Sequence, residues 1–198
     1  MQTTIKVWDI PLRIFHWLLV AGFSVAYITE EDFLNIHIWA GYLVIGLLVF
    51  RLIWGFIGNE YSQFKNFLCS PAESFAYFTQ VLTRTNKRYI GHNPAGAAMI
   101  VMMLVSILIT SLTGLVLLEV ISIPIGAQIN SAFLKWIMES GYGHSVEEIH
   151  EFFANFSVLL VVAHIAGVVF ESISHKENLG RAMMTGEKRS EDAPSDGA

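Results

Sequence analysis

Seven histidines are the residues of this sequence best suited to chemistry, and four of them fall inside long apolar runs. An ionisable side chain inside a membrane-spanning segment is costly and usually marks a functional site. An imidazole can ligate a metal, or it can stay neutral and hydrogen-bond a neighbouring helix. The four are His16, His37, His150 and His164. One such histidine leaves both interpretations open, whereas a set matched in depth favours metal ligation.

The depths of these histidines follow from the direction of each run. His150 and His164 lie in one run, fourteen residues apart. That separation is about 21 Å and close to four helical turns, so both face nearly the same side. His37 starts its own run at the level of His150, and His16 lies near the start of the first run at the level of His164. The spacing therefore predicts an outer pair, His37 with His150, and an inner pair, His16 with His164.

Two imidazoles that face each other across a helical bundle favour an iron porphyrin ligated from both faces. With both axial positions filled, the chemistry left at the iron is one-electron transfer. Zinc is the alternative metal, but it usually needs four clustered ligands, which the ~21 Å between the two levels prevents. The single cysteine, Cys69, excludes a C-x-x-C-H haem attachment and a four-cysteine iron–sulfur site. Two noncovalent b-type haems are the predicted cofactors.

Two further residues fit the same interpretation. Gly41 lies one turn after His37 and leaves room for a flat macrocycle, although small residues are also common in ordinary helix packing. Arg13 lies one turn before His16 and is suited either to a haem propionate or to snorkelling toward lipid headgroups. Both are predicted to bind the cofactor.

Four apolar segments are long enough to place these residues in a bilayer. The chain of 198 residues is 54% hydrophobic and 15% charged, whereas soluble domains carry about 25% charged residues. A spanning helix needs about 20 mostly apolar residues, and the predicted spans run from about 12–28, 36–57, 94–118 and 146–170. We expect an all-α fold, an integral membrane four-helix bundle with haems between the helices, formed by residues 1–175. A cleaved signal peptide is the alternative for the first segment.

The basic residues are strongly segregated. Eleven of the twelve Lys and Arg residues fall on one side of the predicted spans and only Lys135 falls on the other, where the loops are acidic. Cytoplasmic loops of membrane proteins are enriched in Lys and Arg. Both termini are therefore predicted to be cytoplasmic.

The segments outside the spans are predicted to be peripheral. Residues 71–84 place Phe75, Phe78 and Leu82 on one face, which predicts an interfacial amphipathic helix. Residues 131–139 are predicted to form a shorter one. Residues 176–198 are charged and rich in small residues, which predicts a disordered cytoplasmic tail.

Several polar side chains receive no site role from the sequence. Three histidines lie in loops or at a helix end and are interpreted as solvated. They are His92, His144 and His175. Arg51 is interpreted as an interfacial anchor near the end of the second span.

Five short motifs together resemble the bacterial cytochrome b561 and Ni/Fe-hydrogenase cytochrome b superfamily. WDIPLRIFHW at residues 8–17 is similar to its opening W-D-x-x-x-R-x-x-H-W pattern. HIWAGY at 37–42, GHNP at 91–94, HE at 150–151 and His164 also match. The likeness covers residues 5 to 175, and GHNP alone is not specific. The paired histidines resemble the small cytochrome b561 group, which includes superoxide oxidase, whereas GHNP resembles hydrogenase-type and dihaem-cytochrome-c-linked members.

The resemblance implies a diheme cytochrome b of the respiratory chain in a bacterial inner membrane. It would exchange electrons between the quinone pool and a periplasmic cytochrome c or a dehydrogenase or hydrogenase subunit, as an electron-transfer subunit rather than a stand-alone enzyme. A superoxide:quinone oxidoreductase without a protein partner is one alternative, and the acidic outer loops disfavour it because superoxide is an anion. A haem-free transporter or assembly subunit is the other. Nothing in the sequence indicates nucleic acid as a partner.

Overall fold

The computed structural model describes residues 4–30, 32–83, 85–121 and 138–190. A π-helical turn, Met138–Tyr142, leads directly into the last long helix. The other elements, in chain order, are β1 (Thr4–Lys6), α1 (Ile10–Ile28), α2 (Leu34–Ile57), α3 (Phe64–Phe67), α4 (Pro71–Leu82), α5 (Pro94–Ile121), α6 (Gly143–Ser174), α7 (Leu179–Thr185) and β2 (Glu187–Arg189).

Four of the helices are long and apolar enough to cross a membrane: α1, α2, α5 as far as Leu118, and α6 with the turn before it. Large apolar side chains on them point outward, as a lipid-facing surface requires, with Ile28 78% and Phe56 70% exposed. The predicted all-α membrane bundle is confirmed. The helices begin two or three residues earlier than predicted for α1, α2 and α6, and α5 begins at Pro94 as predicted.

The start of α1 shows why the first span begins where it does. Asp9 is the N-cap, and its carboxylate accepts a hydrogen bond from the Leu12 backbone N–H at 2.9 Å, with Pro11 in the first turn. The other carboxylate oxygen accepts a hydrogen bond from the Trp54 indole at 3.0 Å. The cap therefore also ties α1 to the end of α2.

The long helices form two antiparallel hairpins, α1 with α2 and α5 with α6, and α2 also touches α5. Within the second hairpin, Ser106 and Ser157 are buried and their hydroxyls lie 2.7 Å apart. Between the hairpins, the Tyr27 hydroxyl donates to Asn155 Oδ1 at 2.7 Å. Each predicted histidine pair takes one member from each hairpin, so the sites lie where the hairpins meet.

A buried cluster closes the end of the bundle that carries β1 and β2, here called the termini end. It is formed by apolar side chains from the segment between β1 and α1, from α1 and from α2, namely Val7, Trp8, Leu12, Phe15 and Leu47. β1 pairs antiparallel with β2, with Ile5 opposite Lys188. Gly186 precedes β2 at φ 86°, and a Cβ there would lie 2.5 Å from the Trp8 carbonyl oxygen. Only glycine permits this close approach of the two terminal segments.

The predicted disordered tail is wrong for residues 176–190, which form α7 and β2. Lys188 is 5% exposed and its ammonium donates to the Tyr89 carbonyl at 2.9 Å. The Arg88 guanidinium pairs with Glu177 at 2.9 Å. Composition predicted disorder because the segment is charged, but Glu177 pairs with Arg88 and Lys188, and the backbone adds a strand to β1. Residues 191–198 lie outside the described residues.

The predicted amphipathic helix is present as α4. Ser70 and Glu73 form a capping box at its start. Phe75 is 69% and Phe78 50% exposed on one face, as expected for a helix lying at a lipid interface. Residues 131–137 of the second predicted peripheral segment lie outside the described residues, and the π-helical turn begins at Met138.

Candidate haem-binding sites

The outer pair is formed by His37 on α2 and His150 on α6. The ring centroids of His37 and His150 are 6.1 Å apart, with an angle of 65° between the ring planes. A metal ion lies about 2.0–2.1 Å from an imidazole nitrogen, which puts the centres of two rings on opposite sides of one metal about 6 Å apart. The observed separation therefore fits two ligands of a single metal ion.

Hydrogen bonds fix the proton position on both outer imidazoles. His37 Nδ1 lies 2.8 Å from the Ala26 carbonyl oxygen, and His150 Nδ1 lies 2.9 Å from the Thr110 carbonyl oxygen. A carbonyl oxygen can only accept, so each Nδ1 carries the proton and each Nε2 keeps its lone pair. Metal-binding histidines commonly show this arrangement. Each hairpin therefore orients its own histidine. A carbonyl of α1 holds the His37 ring of α2, and a carbonyl of α5 holds the His150 ring of α6.

The third span shapes the space around His150. The Thr113 hydroxyl lies 3.2 Å from His150 Nδ1. A Cβ at Gly114 would lie 3.0 Å from His150 Cε1, so glycine makes room for the ring. The sequence interpretation missed both residues. The signal was present as three small or polar positions, Thr110, Thr113 and Gly114, at helical spacing on an otherwise apolar span.

The inner pair lies nearer the termini, with His16 on α1 and His164 on α6, and the two are close enough to interact electrostatically. The His16 ring meets the Trp17 ring edge to face, with centroids 4.9 Å apart. His16 Nδ1 is buried and has no hydrogen-bond partner within the described part of the chain. Unlike the Nδ1 atoms of the outer histidines, His16 Nδ1 is not held by a carbonyl oxygen of a neighbouring helix within the described residues.

Arg13 lies at the same level and contacts the terminal segment. Its guanidinium donates to the Met184 carbonyl of α7. Its Nε is buried and unpartnered among the described residues. This arrangement differs from snorkelling to headgroups, because the side chain turns toward the protein, and one N–H donor is left available.

His92 is not solvated, so its interpretation from the sequence is wrong. Its ring lies between Trp8 and Phe67, with centroids 4.6 and 4.7 Å away. Its Nδ1 is buried and has no partner in the described residues. Burial, together with the nearby positive charges of Arg51 and Lys188, lowers the pKa of His92 to about 3. The imidazole is therefore neutral at physiological pH.

Arg51 is not an interfacial anchor either, because it is 3% exposed. Its guanidinium donates to the Ser62 carbonyl at 3.1 Å and lies 4.5 Å from the centroid of the Phe64 ring. The loop after α2 folds back over the side chain, which span position alone did not reveal.

The two remaining histidines differ from each other. His144 is solvated as predicted, with its side chain 78% exposed near Glu147 and Glu148. His175 is not solvated, because its side chain is 17% exposed. Its Nε2 lies 3.1 Å from Asn86 Nδ2 and 3.2 Å from a Glu171 carboxylate oxygen. His175 therefore ties the end of α6 to the segment before α5.

Gly41, predicted beside the outer macrocycle, has open space next to it. A Cβ built there meets no heavy atom within 4 Å. Gly22, by contrast, lets α1 approach α2, since its Cβ would lie 3.3 Å from a methyl carbon of Leu43. Gly41 is therefore not needed for close helix packing within the described residues, and the space beside it can accept a flat group.

Comparison with known proteins gives one family and several relatives. Residues 7–186 match the family model for prokaryotic cytochrome b561. A probable Ni/Fe-hydrogenase B-type cytochrome subunit of Azotobacter vinelandii is 27% identical, over 93% of this chain and 88% of its own. Proteins of the same description from Rhizobium leguminosarum and Bradyrhizobium diazoefficiens are 24% and 25% identical, over 94% and 96% of this chain and 90% and 88% of theirs. No solved structure matches the chain.

Proposed function

Because the chain belongs to the prokaryotic cytochrome b561 family, we propose that this haem-binding membrane electron-transport protein holds two b-type haems and carries electrons between the quinone pool and a redox partner. Haem b, when bound, supplies reversible one-electron transfer at iron. The proposed ligands are His37 with His150 and His16 with His164. Arg13 and Gly41 are proposed to complete the cofactor contacts.

The geometry of the outer pair is the observation that carries this proposal. Two Nε2 lone pairs are presented from opposite hairpins, with ring centroids 6.1 Å apart. Both rings are held by carbonyl oxygens, so little reorganisation is needed when the metal binds or changes charge. Occupation of both axial positions favours electron transfer over reaction of a substrate at iron.

The continuous helix α6 supports two haem levels in one chain. His150 and His164 both belong to Gly143–Ser174, fourteen residues apart. The rise of about 1.5 Å per residue puts about 21 Å between them along the axis. Electrons passing from one level to the other would cover most of the ~30 Å hydrocarbon core.

The test is a count of haem per polypeptide. We expect the purified protein to show sharp α and β bands in its reduced-minus-oxidised spectrum and about two haems per chain in a pyridine haemochrome assay. A colourless protein, made with ample porphyrin supply, would contradict the proposal. A ratio near one haem per chain would contradict the proposal of a second haem site.

A hydrogenase-type redox subunit is the proposed partner, since three relatives are described as B-type cytochrome subunits of Ni/Fe-hydrogenases. A periplasmic cytochrome c or another dehydrogenase subunit is compatible with the same chemistry. Quinone is the proposed membrane substrate. A short-chain quinol should reduce the haems of the purified protein within seconds to minutes, and haems that stay oxidised would contradict this part.

The proposed location is the bacterial inner membrane, multi-pass, with both termini in the cytoplasm. The placement of eleven of twelve basic residues on the termini side supports it. The functional unit is proposed to extend beyond residue 175, since the family match continues to residue 186. Reporter fusions after residue 198 that are active only in the periplasm would contradict the orientation.

A further inference from the structure

The termini end of the bundle contains unpartnered polar atoms, and one of them has no proposed role in cofactor binding. In the described part of the chain, three buried side-chain nitrogens lack a hydrogen-bond partner: Arg13 Nε, His16 Nδ1 and His92 Nδ1. All three belong to the termini end. A buried polar atom without a hydrogen-bond partner is destabilising, so their grouping points to a ligand with hydrogen-bonding groups. Two of them already have proposed cofactor roles, and His92 has none.

The packing around His92 fixes the orientation of its ring and therefore the direction in which Nδ1 points. The imidazole is packed between the Trp8 indole and the Phe67 ring, at 4.6 and 4.7 Å between centroids. Trp8 and Phe67 are both buried. The ring therefore has little freedom to turn its Nδ1 toward water. A donor fixed in this way is preorganised for a ligand group rather than for solvent.

The surroundings of His92 favour a negatively charged group. Arg51, Lys188 and His164 are near enough to act on it electrostatically. Two acids at this end of the bundle already have partners, since Asp9 accepts from Trp54 and the Leu12 backbone, and Glu177 pairs with Arg88. A ligand that carries a carboxylate would supply the acceptor that His92 Nδ1 lacks among the described residues.

We propose that His92 Nδ1–H donates a hydrogen bond to a propionate carboxylate of the haem held by His16 and His164. This inference rests on the proposed function, because it requires the inner haem. The proximity of His92 to His164 puts the donor beside the inner site and not the outer one. Buried Arg51 and Lys188 contribute the positive field in which a carboxylate stays ionised. His92 is thus a positioning residue for the inner haem and a determinant of its potential.

The proposal predicts an asymmetric change in redox behaviour. Without the donor, the carboxylate charge is less compensated and stabilises ferric iron more. His92→Leu should therefore lower the midpoint potential of the inner haem and leave that of the outer haem unchanged. His92→Gln keeps an N–H donor, so the midpoint potential of its inner haem should stay close to the wild-type value.

The test uses the full-length protein and haem labelled with ¹³C at the propionate carboxyls. The His150→Leu background isolates the inner haem. Redox-difference infrared spectra should show the labelled carboxylate bands shifted in His92→Leu and near their original position in His92→Gln. Phe67→Leu is the matched control, because it loosens the packing on the same ring and keeps the donor, and its bands should stay in place.

The possible outcomes distinguish a failure of the His92 proposal from a failure of the proposed function. Unshifted bands in a His92→Leu protein that retains the inner haem overturn the donor role, and so does an equal shift in Phe67→Leu. If His92→Leu loses the inner haem, retention of that haem by His92→Gln supports the proposal and its loss there overturns it. A wild-type protein without two haems would instead contradict the proposed function.

Discussion

The outer and inner histidine pairs each consist of two imidazole rings, but their surroundings differ. The outer imidazoles are each fixed by a carbonyl of the neighbouring helix, at 2.8 and 2.9 Å. At the inner level, His16 Nδ1 has no partner among the described residues, and buried cationic side chains such as Arg51 lie nearby. The outer site is built from backbone carbonyls of the helices themselves, whereas the inner site depends on loops and the terminal segments. The two sites should therefore respond differently to the same kind of change.

Removal of one ligand from each pair is expected to have the largest effect. His150→Leu should lose the outer haem and His164→Leu the inner one, so each variant should bind about half the wild-type haem. The reason is that a single remaining imidazole leaves one axial position empty. The pyridine haemochrome count measures this, with solvent-exposed His144→Leu as the control. Loss of both haems in either single variant, or of neither, would contradict the pairing.

A smaller effect, confined to the outer site, is expected for Gly114→Ala. The new Cβ would lie 3.0 Å from His150 Cε1 and push the ring. Changes next to metal ligands typically cost about 10–100-fold in affinity, and we expect roughly tenfold for the outer haem, measured by haem retention during dilution. Gly46→Ala, where a Cβ meets nothing within 4 Å, is the control and should retain both haems. An equal loss at the inner site would remove the distinction between the two pairs.

Thr113→Val should weaken the outer site less. It removes the hydroxyl 3.2 Å from His150 Nδ1 but leaves the Thr110 carbonyl in place. The loss of one hydrogen bond costs about 1 kcal/mol, which corresponds to a roughly fivefold weaker affinity for the outer haem. Electron paramagnetic resonance of the ferric protein should show a shifted outer signal only. Thr110→Val keeps the carbonyl and serves as the control, and a larger effect there would contradict the assigned contacts.

The smallest effect is expected from mild acid, and only at the inner end. Burial alone would raise the pKa of Glu177, but hydrogen bonds from Arg88 and the Arg189 backbone outweigh it and hold the pKa below its usual value. A carboxyl with a lowered pKa stabilises the fold above its unfolded pKa, and that contribution fades as the pH falls toward the folded pKa. Below about pH 4–5, hydrogen exchange at β2 should therefore rise before exchange at α5. Glu177→Gln should abolish this pH dependence, and unchanged exchange in the wild type would contradict it.

The parts of the molecule that sequence predicted well are those set by local chemistry. Apolar runs of sufficient length gave the four helices, and Asp9 with Pro11 gave the start of α1. The depth argument placed His37 opposite His150 because helical rise is nearly constant. In this structure those two rings face each other.

The errors concern residues whose environment is made by distant segments. His92 is enclosed by Trp8 and Phe67, which come from the beginning of the chain and from α3. Arg51 is covered by the loop that follows its own span. The order of residues 176–190 depends on pairing with residues 4–6. Hydropathy and composition carry no information about such contacts, and the GHNP motif was the only local sign that His92 differs from a loop histidine.

The short β1–β2 ribbon has a consequence for biogenesis. Residues 187–189 are synthesised after all four spans, yet they pair with residues 4–6, which are synthesised before the first span. His37 and His150, the proposed outer ligands, meet once α6 has inserted, whereas the enclosure of the inner level waits until β2 has been synthesised. Cofactor loading in the cell should therefore proceed in sequence, with the outer position ready before the inner one, and a stop codon shortly before Gly186 should trap the half-loaded form.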